Sequence, residues 1–149
     1  MKKVMVGLAT LALFGAVQAQ AAEITWQKDI KPIFDKHCAD CHGADSPEHD
    51  EFLKNQKTWT DKGLGMRMNS YSLMIAHIGW PHTGAIMRRL DDGTSKTDKK
   101  PGNMYVNLGA TDVERKANLE IFKAWIGSWN VKRWKDVTKE ELSAIKSKY

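Results

Sequence analysis

The residues of this chain that could do chemistry are concentrated in one short stretch, KPIFDKHCADCHG, at positions 31–43. The stretch holds both cysteines of the chain, Cys38 and Cys41, and His42 follows the second one directly. Two thiols at this spacing could form a redox pair, half of a zinc site, a short-range disulfide or the anchor of a haem. The surrounding sequence has to decide among these four.

The pattern Cys-x-x-Cys-His favours a covalently attached haem c. On a helical turn, two intervening residues bring both sulfurs to one porphyrin edge, and the next residue turns its imidazole toward the iron. A redox pair needs a preceding strand in a βαβ unit, whereas a proline-started helix precedes these cysteines. A zinc site needs a matched second pair of ligands, and a disulfide that closes so short a loop stabilises little. We therefore predict one haem c, bound by Cys38, Cys41 and His42.

The spacing of apolar residues predicts an all-α fold, in which helices position this motif. Residues 24–40 carry apolar side chains three and four apart, with Pro32 near the start of the helix and Gly43 at its end. Residues 69–79 predict a short helix with a polar cap, and residues 52–69 are ambiguous. No alternating apolar run is long enough to predict a strand.

The last third of the chain has the clearest helix signals. Thr111 and Glu114 have the spacing of a capping box, and Thr138 and Glu141 repeat it. We predict one long helix from Thr111 and a second amphipathic helix from Thr138 to Tyr149. The apolar face of the long helix is predicted to contain Val113, Leu119, Phe122, Trp125, Ile126 and Trp129.

The N-terminus predicts export. Two lysines precede an apolar run over residues 4–17, which falls short of the ~20 residues of a spanning helix, and an Ala-x-Ala site ends at Ala21. We predict a signal peptide over residues 1–21 and one domain over residues 22–149. The expected location is the periplasm, with no membrane span after signal cleavage.

Three segments in this order, DIKPIFDKHCADCHG, PGNMYVNLG and TDVERKANLEIFKAWIG, resemble class I monohaem c-type cytochromes. The resemblance covers the first helix and residues 101–127, while residues 44–100 match nothing specific. It implies an all-α domain wrapped around one haem, with His42 as the proximal ligand and a late methionine as the distal one. More narrowly, the chain resembles the soluble monohaem shuttles found with outer-membrane iron-oxidation conduits.

The distal ligand has several candidates. Met104 is our choice, because it lies in a Pro-Gly-Asn loop seven residues before a helix start, as the resemblance implies. Met87 is the second candidate, although its spacing is that of a core residue, and His77 with His82 offers a bis-imidazole alternative. A thioether ligand raises the reduction potential relative to a second imidazole. The remaining methionines after residue 21 are Met66, Met68 and Met74.

The charge of the chain indicates a protein partner rather than a nucleic acid. Without Lys2 and Lys3 it has 21 basic and 18 acidic side chains, an excess too small to indicate nucleic-acid binding. Lys96, Lys99 and Lys100 lie close to Met104 in sequence and could steer an acidic redox partner.

We expect a periplasmic one-electron carrier that passes electrons between redox proteins such as cytochromes or membrane complexes. No pair of side chains suggests acid–base or nucleophilic catalysis, so we do not expect an enzyme. Two alternatives stay open. The chain could be a haem subunit of a larger oxidoreductase complex, with residues 44–100 as its docking surface. It could also be a haem enzyme or sensor with an open or labile sixth position, if Met104 does not bind iron.

Overall fold

The computed structural model of this protein describes residues 23–149. The predicted signal peptide over residues 1–21 lies outside the described residues. The described part of the chain contains eight short α-helices and no sheet; its extended pairing is an isolated parallel bridge between Thr25 and Lys148. The predicted all-α class is confirmed. None of the helices in this part is both long and apolar enough to cross a membrane.

The first helix begins with a turn of π-helix at Trp26–Ile30, which continues directly into α1, Lys31–His37. The hydroxyl of Thr25 caps the turn by accepting from the backbone N–H of Lys28 (3.3 Å). Pro32 lies at the start of α1, the helical position that tolerates proline best. These observations confirm the predicted helix and its start.

The cysteine motif lies at a break between two helices. Cys38 ends α1, and α2, Ala39–His42, stops at Gly43 as predicted. Four more helices follow in the middle of the chain: α3 (His49–Lys54), α4 (Gln56–Asp61), α5 (Tyr71–Ile75) and α6 (Ala85–Leu90).

Helix α5 is shorter than predicted. The hydroxyl of Ser70 caps it by accepting from the N–H of Leu73 (3.3 Å). It ends at Ile75 rather than near Gly79, because the carbonyl of Ala76 accepts from the N–H of His82 instead of continuing the helix (2.9 Å). The chain therefore turns back on itself here.

The longest helix is α7, Asp112–Ile126. Thr111 caps it as predicted, with its hydroxyl accepting from the N–H of Glu114 (3.2 Å). The carboxylate of Glu114, however, accepts from the N–H of Ala110 (2.8 Å), so the reciprocal half of the predicted capping box is shifted by one residue. Val113 was predicted on the apolar face but is 79% exposed, because it lies in the first turn, beyond the edge of the core.

The C-terminal region combines two 3₁₀ turns, Tyr105–Leu108 before α7 and Trp134–Asp136 after it, with the short helix α8, Lys139–Ser143. The capping box of Thr138 and Glu141 is confirmed, with both hydrogen bonds present. The predicted continuation of this helix to the C-terminus is wrong. The chain after α8 instead donates two backbone hydrogen bonds to the last two carbonyls of α7 (2.8 Å each).

The core lies where α1 and the turn before it cross α7. The ring of Trp26 packs 6.0 Å from that of Trp125 and 6.2 Å from that of Phe34. Burial of each large apolar side chain here contributes ~1.5–3 kcal/mol. Cys38 and Met104 both pack against this core. The residues of the core are Trp26, Ile30, Ile33, Phe34, Met74, Ile78, Ile86, Met87, Leu90, Leu108, Leu119, Phe122, Trp125 and Ile126.

Candidate haem-binding site

The two cysteines are free thiols rather than a disulfide. Cys38 packs against the core, whereas Cys41 on α2 is exposed. Burial, and to a smaller extent the charge of Cys41, raises the pKa of Cys38 to about 11. The raised pKa keeps the Cys38 thiol protonated at neutral pH.

A helical turn sets the directions of the three side chains in the motif. The N–H groups of Cys41 and His42 both donate to the carbonyl of Cys38, at 3.2 and 2.9 Å. Cysteines three residues apart on such a turn lie on one face. The two sulfurs can thus meet one edge of a planar ligand, with the imidazole of the next residue beside them.

The ring of His42 is oriented by a single hydrogen bond. Its Nδ1 lies 2.7 Å from the carbonyl oxygen of Met66. Because a carbonyl only accepts, Nδ1 must carry the ring proton, which leaves the lone pair of Nε2 for a metal. Metal-ligating histidines commonly make this contact through their second nitrogen, and it raises the basicity of the ligating one.

Residues 65–68, here called the proximal segment, hold the motif from one side. The N–H of Gly65 donates to the carbonyl of Cys41 (2.7 Å), and the N–H of Met68 donates to that of His42 (2.9 Å). Gly65 lies so close to the imidazole that a Cβ at this position would be 2.8 Å from Nδ1 and nearer still to Cε1. This role was not predicted from the sequence, where the glycines flanking Leu64 were the available signal.

Residues 91–104, here called the distal loop, carry Met104 to the core. The N–H of Met104 donates to the carbonyl of Arg89 at the end of α6 (3.0 Å), and the N–H of Gly102 donates to that of Asp91 (2.7 Å). Met104 is half-buried, and its sulfur lies 3.7 Å from the amide nitrogen of Asn107. A Cβ at Gly102 would overlap the carbonyl of Arg89, so the close approach of the loop to α6 requires glycine.

A buried carboxylate fixes the start of the distal loop. Asp91 is 0% exposed and accepts from the N–H groups of Gly93 (2.8 Å) and Ser95 (3.2 Å) and from the indole N–H of Trp129 (3.0 Å). Burial by itself would raise the pKa of Asp91, but these hydrogen bonds outweigh it and hold the pKa below its ordinary value. Asp91 was not among the residues predicted from the sequence.

The rival methionine belongs to the core. Met87 is 0% exposed and lies on α6 among the buried residues, where its sulfur has the ordinary role of apolar filling. Met74 is buried in the same way. The structure thus separates these two from Met104, which lies on an irregular loop.

The rival histidines, His77 and His82, lie together with a third histidine, His49. The ring of His49 is 4.0 Å from that of His82 and 5.7 Å from that of His77, measured between centroids. Burial lowers the pKa of both His77 and His82, and the neighbouring imidazoles lower both further. Nε2 of His77 is 3.0 Å from the sulfur of Met66, the residue whose carbonyl holds the Nδ1 side of His42. This contact favours Met104 over His77 as the ligand opposite His42.

The donor set fits a covalently attached haem. It comprises two unpaired thiols one helical turn apart, an imidazole with Nε2 unprotonated, and a half-buried thioether on a loop anchored to the same core. Cys38 and Cys41 would form the two thioether bonds, and His42 and Met104 are the residues that would hold the iron.

Comparisons with known proteins agree with this chemistry. Residues 25–149 match the family described as PccH cytochrome c. The chain is 58% identical to the monohaem cytochrome PccH from Geobacter sulfurreducens, whose solved structure covers 86% of this chain and is itself covered in full, with a TM-score of 0.81. No curated protein matches the chain.

Proposed function

This chain belongs to the PccH cytochrome c family, and from that membership we propose that it carries single electrons between redox proteins of the periplasm. Monohaem c-type cytochromes are in general electron carriers, and they hold one covalently attached haem c. The haem supplies the chemistry, since its iron takes up one electron and gives it back. The residues of this chain orient the ligands of that iron and limit their movement.

The observation that carries the proposal is the hydrogen bond from Nδ1 of His42 to the carbonyl of Met66 (2.7 Å). It fixes the tautomer, leaves the lone pair of Nε2 for a metal and makes Nε2 a stronger donor. With Cys38 and Cys41 as the thioether anchors, the imidazole keeps one orientation whichever charge the site carries. The proximal segment therefore limits the movement that accompanies each electron.

We assign the opposite side to the sulfur of Met104. Its backbone is tied to α6 by the N–H bond to Arg89 (3.0 Å), and its side chain packs against the core. Two side chains on the metal leave no exchangeable position, and the sequence offers no acid–base pair beside them. This argues for a carrier rather than an enzyme or a sensor.

The proposed location and partners rest on the N-terminal sequence and on the charge of the distal loop. The predicted signal peptide over residues 1–21 and the covalent attachment both suit an exported protein. Lys99 and Lys100 are exposed on the distal loop near Met104 and would steer an acidic redox partner. In its finer form, the proposal assigns the protein to an iron-oxidation chain, in which it accepts electrons from an outer-membrane conduit and passes them inward.

The test compares two matched methionine variants of protein matured with haem. Met104→Leu removes the sulfur and keeps the volume, so we expect the weak far-red sulfur-to-iron band of the oxidised protein to disappear and the reduction potential to fall. Met87→Leu is the control, since Met87 is a core residue, and its band is expected to persist. Absorption spectra and redox titration of both variants measure this.

Three results would overturn the proposal. Loss of the band in Met87→Leu with its retention in Met104→Leu would move the distal ligand to α6. A wild-type protein with high-spin features that binds carbon monoxide readily would favour the enzyme or sensor alternative. A redox-inactive chain outside its complex would favour a subunit of a larger oxidoreductase.

A further inference from the structure

Three histidines outside the haem-binding residues meet on one side of the molecule. His49 is the first residue of α3, His77 follows α5, and His82 precedes α6. One ring nitrogen of each lies within 4.8 Å of those of the other two. The proposed electron-carrier function makes no use of them.

The loop between His77 and His82 is held in place by its backbone. The N–H of His82 donates to the carbonyl of Ala76 (2.9 Å), and the carbonyl of His77 accepts from the N–H of Ile86 (3.0 Å). These bonds fix the backbone from which both imidazoles project. Such prior positioning reduces the entropy that a ligand would have to remove on binding.

In neutral His77, the contact between Nε2 and the sulfur of Met66 has no hydrogen atom between the two electron donors. Its Nδ1 lies 2.9 Å from the carbonyl oxygen of Leu73, so Nδ1 carries the ring proton and Nε2 carries a lone pair. That lone pair lies 3.0 Å from the sulfur of Met66, which has no hydrogen to donate. His77 is only 5% exposed, so water is largely excluded from this pair of electron donors. A bound cation would satisfy both atoms.

The second nitrogens of His77 and His49 have the partners that are common around metals. The carbonyl of Leu73 holds Nδ1 of His77, and the carboxylate of Asp50 lies 3.1 Å from Nδ1 of His49. Metal-ligating histidines commonly donate their other ring N–H to a carbonyl or a carboxylate in this way. In a tetrahedral site with bonds of 2.0–2.1 Å, the ligand atoms lie about 3.4 Å apart. Small rotations of the half-buried rings of His49 and His82 would reach that spacing.

We propose that His49, His77 and His82, together with the thioether of Met66, bind a cuprous ion. Three imidazole nitrogens alone would suit several divalent metals, but a thioether sulfur is a soft ligand and selects Cu(I). The site lies on the Nδ1 side of His42, because the same Met66 offers its sulfur to the histidines and its carbonyl to His42. The proposal goes beyond the electron-carrier function and does not rest on it.

The test is an anaerobic competition titration of the haem-loaded protein with Cu⁺ against a chromophoric chelator. Haem attachment removes both free thiols, so they cannot compete for the metal. We expect one tight equivalent in the wild type and an affinity at least ~10-fold lower in His49→Ala and in His82→Ala, since even indirect changes around a metal have that effect. His37→Ala is the matched control, because His37 lies outside the cluster and pairs with Glu114. Absence of stoichiometric binding, or equal affinities in all three variants, would overturn the site.

A second measurement tests the sulfur and avoids substitution of the buried His77. Met66→Leu keeps the volume of the side chain and removes its sulfur. Copper-edge X-ray absorption is expected to detect a sulfur neighbour in the wild type and to lose it in Met66→Leu. The same variant should lose more affinity for Cu⁺ than for Zn²⁺, which binds imidazole but has little preference for thioethers. A sulfur neighbour retained in the variant, or an equal loss for both ions, would overturn the assignment of Met66 and of copper.

Discussion

The proximal segment and the distal loop each support one of the two proposed iron ligands, His42 and Met104, but they are anchored in different ways. Residues 65–68 bond directly to the backbone and the ring of the cysteine motif, through the carbonyls of Cys41 and His42 and through Nδ1. The distal loop makes its bonds to α6 instead, and a buried carboxylate at Asp91 organises its first turn. The ring of His42 is thus held by a direct hydrogen bond, whereas the sulfur of Met104 is positioned only through the backbone of the distal loop.

This difference determines what each side tolerates. In the proposed site, the ring of His42 would have covalent anchors beside it at Cys38 and Cys41 as well as its hydrogen bond to one carbonyl, so small displacements could be absorbed by rotation. The sulfur of Met104 depends on contacts of backbone with backbone, at Arg89 and at Gly102. We therefore expect distal ligation to be the more fragile of the two.

Gly102→Ala should have the largest effect. A Cβ at this position would overlap the carbonyl of Arg89, and neither backbone can move without opening the contact between the distal loop and α6. We expect the free energy of unfolding to fall by about 3 kcal/mol, at the upper end of overpacking costs. The far-red sulfur-to-iron band should weaken or disappear while the haem stays attached. Chemical denaturation and absorption spectra measure both effects.

Gly79→Ala is the control for this substitution, because a Cβ at Gly79 has its nearest neighbour at an ordinary 3.9 Å, the carbonyl oxygen of Ile75. Its spectrum should match that of the wild type. A Gly102→Ala variant that keeps both the band and the stability would contradict the fragility of the distal side.

The same comparison explains how much the sequence could predict. The motif at Cys38, Cys41 and His42 and the capping box at Thr138 and Glu141 were predictable because their physics is local, within one or two helical turns. Most of the buried face of α7 was predictable for the same reason, although the exposure of Val113 in its first turn was not.

The features that the sequence did not predict depend on contacts between distant parts of the chain. The indole of Trp129 reaches Asp91 from 38 residues away, and His49 reaches His82 from 33 positions earlier. Neither pair has a spacing that local periodicity would reveal. The C-terminal segment was predicted to be helical on its amphipathic pattern, but bonds to the end of α7 take precedence over that weak local preference.

Gly65→Ala should have an intermediate effect, on the proximal side alone. The added Cβ would be 2.8 Å from Nδ1 of His42, but the imidazole is a side chain and can rotate away. We expect a loss of about 1–2 kcal/mol in the free energy of unfolding. The hydrogen bond to Met66 should lengthen and the reduction potential should rise, because a less basic imidazole stabilises the oxidised state less well. The far-red band should remain.

Redox titration and denaturation of Gly65→Ala, with Gly79→Ala again as the control, measure these changes. A variant in which the far-red band disappears would break the comparison, because it would mean that the two sides do not respond separately.

Glu114→Gln should have the smallest effect on stability, and it should affect the proximal and the distal ligand equally. The carboxylate of Glu114 on α7 pairs with Lys36 (2.6 Å) and His37 (3.2 Å) at the end of α1. α1 leads into the cysteine motif, and α7 packs against the turn that follows Met104. The pair is solvated, and surface ion pairs of this kind contribute little. Glu120→Gln is the matched control, because Glu120 pairs with Lys123 within α7 and does not bridge two helices.

The pH dependence of this pair has a definite sign. The hydrogen bond from Lys36, followed by that from the N–H of Ala110, lowers the pKa of Glu114 from 4.5 to about 2. A folded-state pKa below the unfolded one gives stability that is complete above the ordinary value near 4.5 and is lost as the pH falls toward 2. The melting temperature of the wild type should therefore fall more steeply across this window than that of Glu114→Gln, with Glu120→Gln following the wild type. Because the ion pair joins α1 to α7, acid should weaken iron ligation by His42 and by Met104 to the same extent.

Loss of only one of these two ligands in Glu114→Gln at neutral pH would show that the ion pair supports only that ligand.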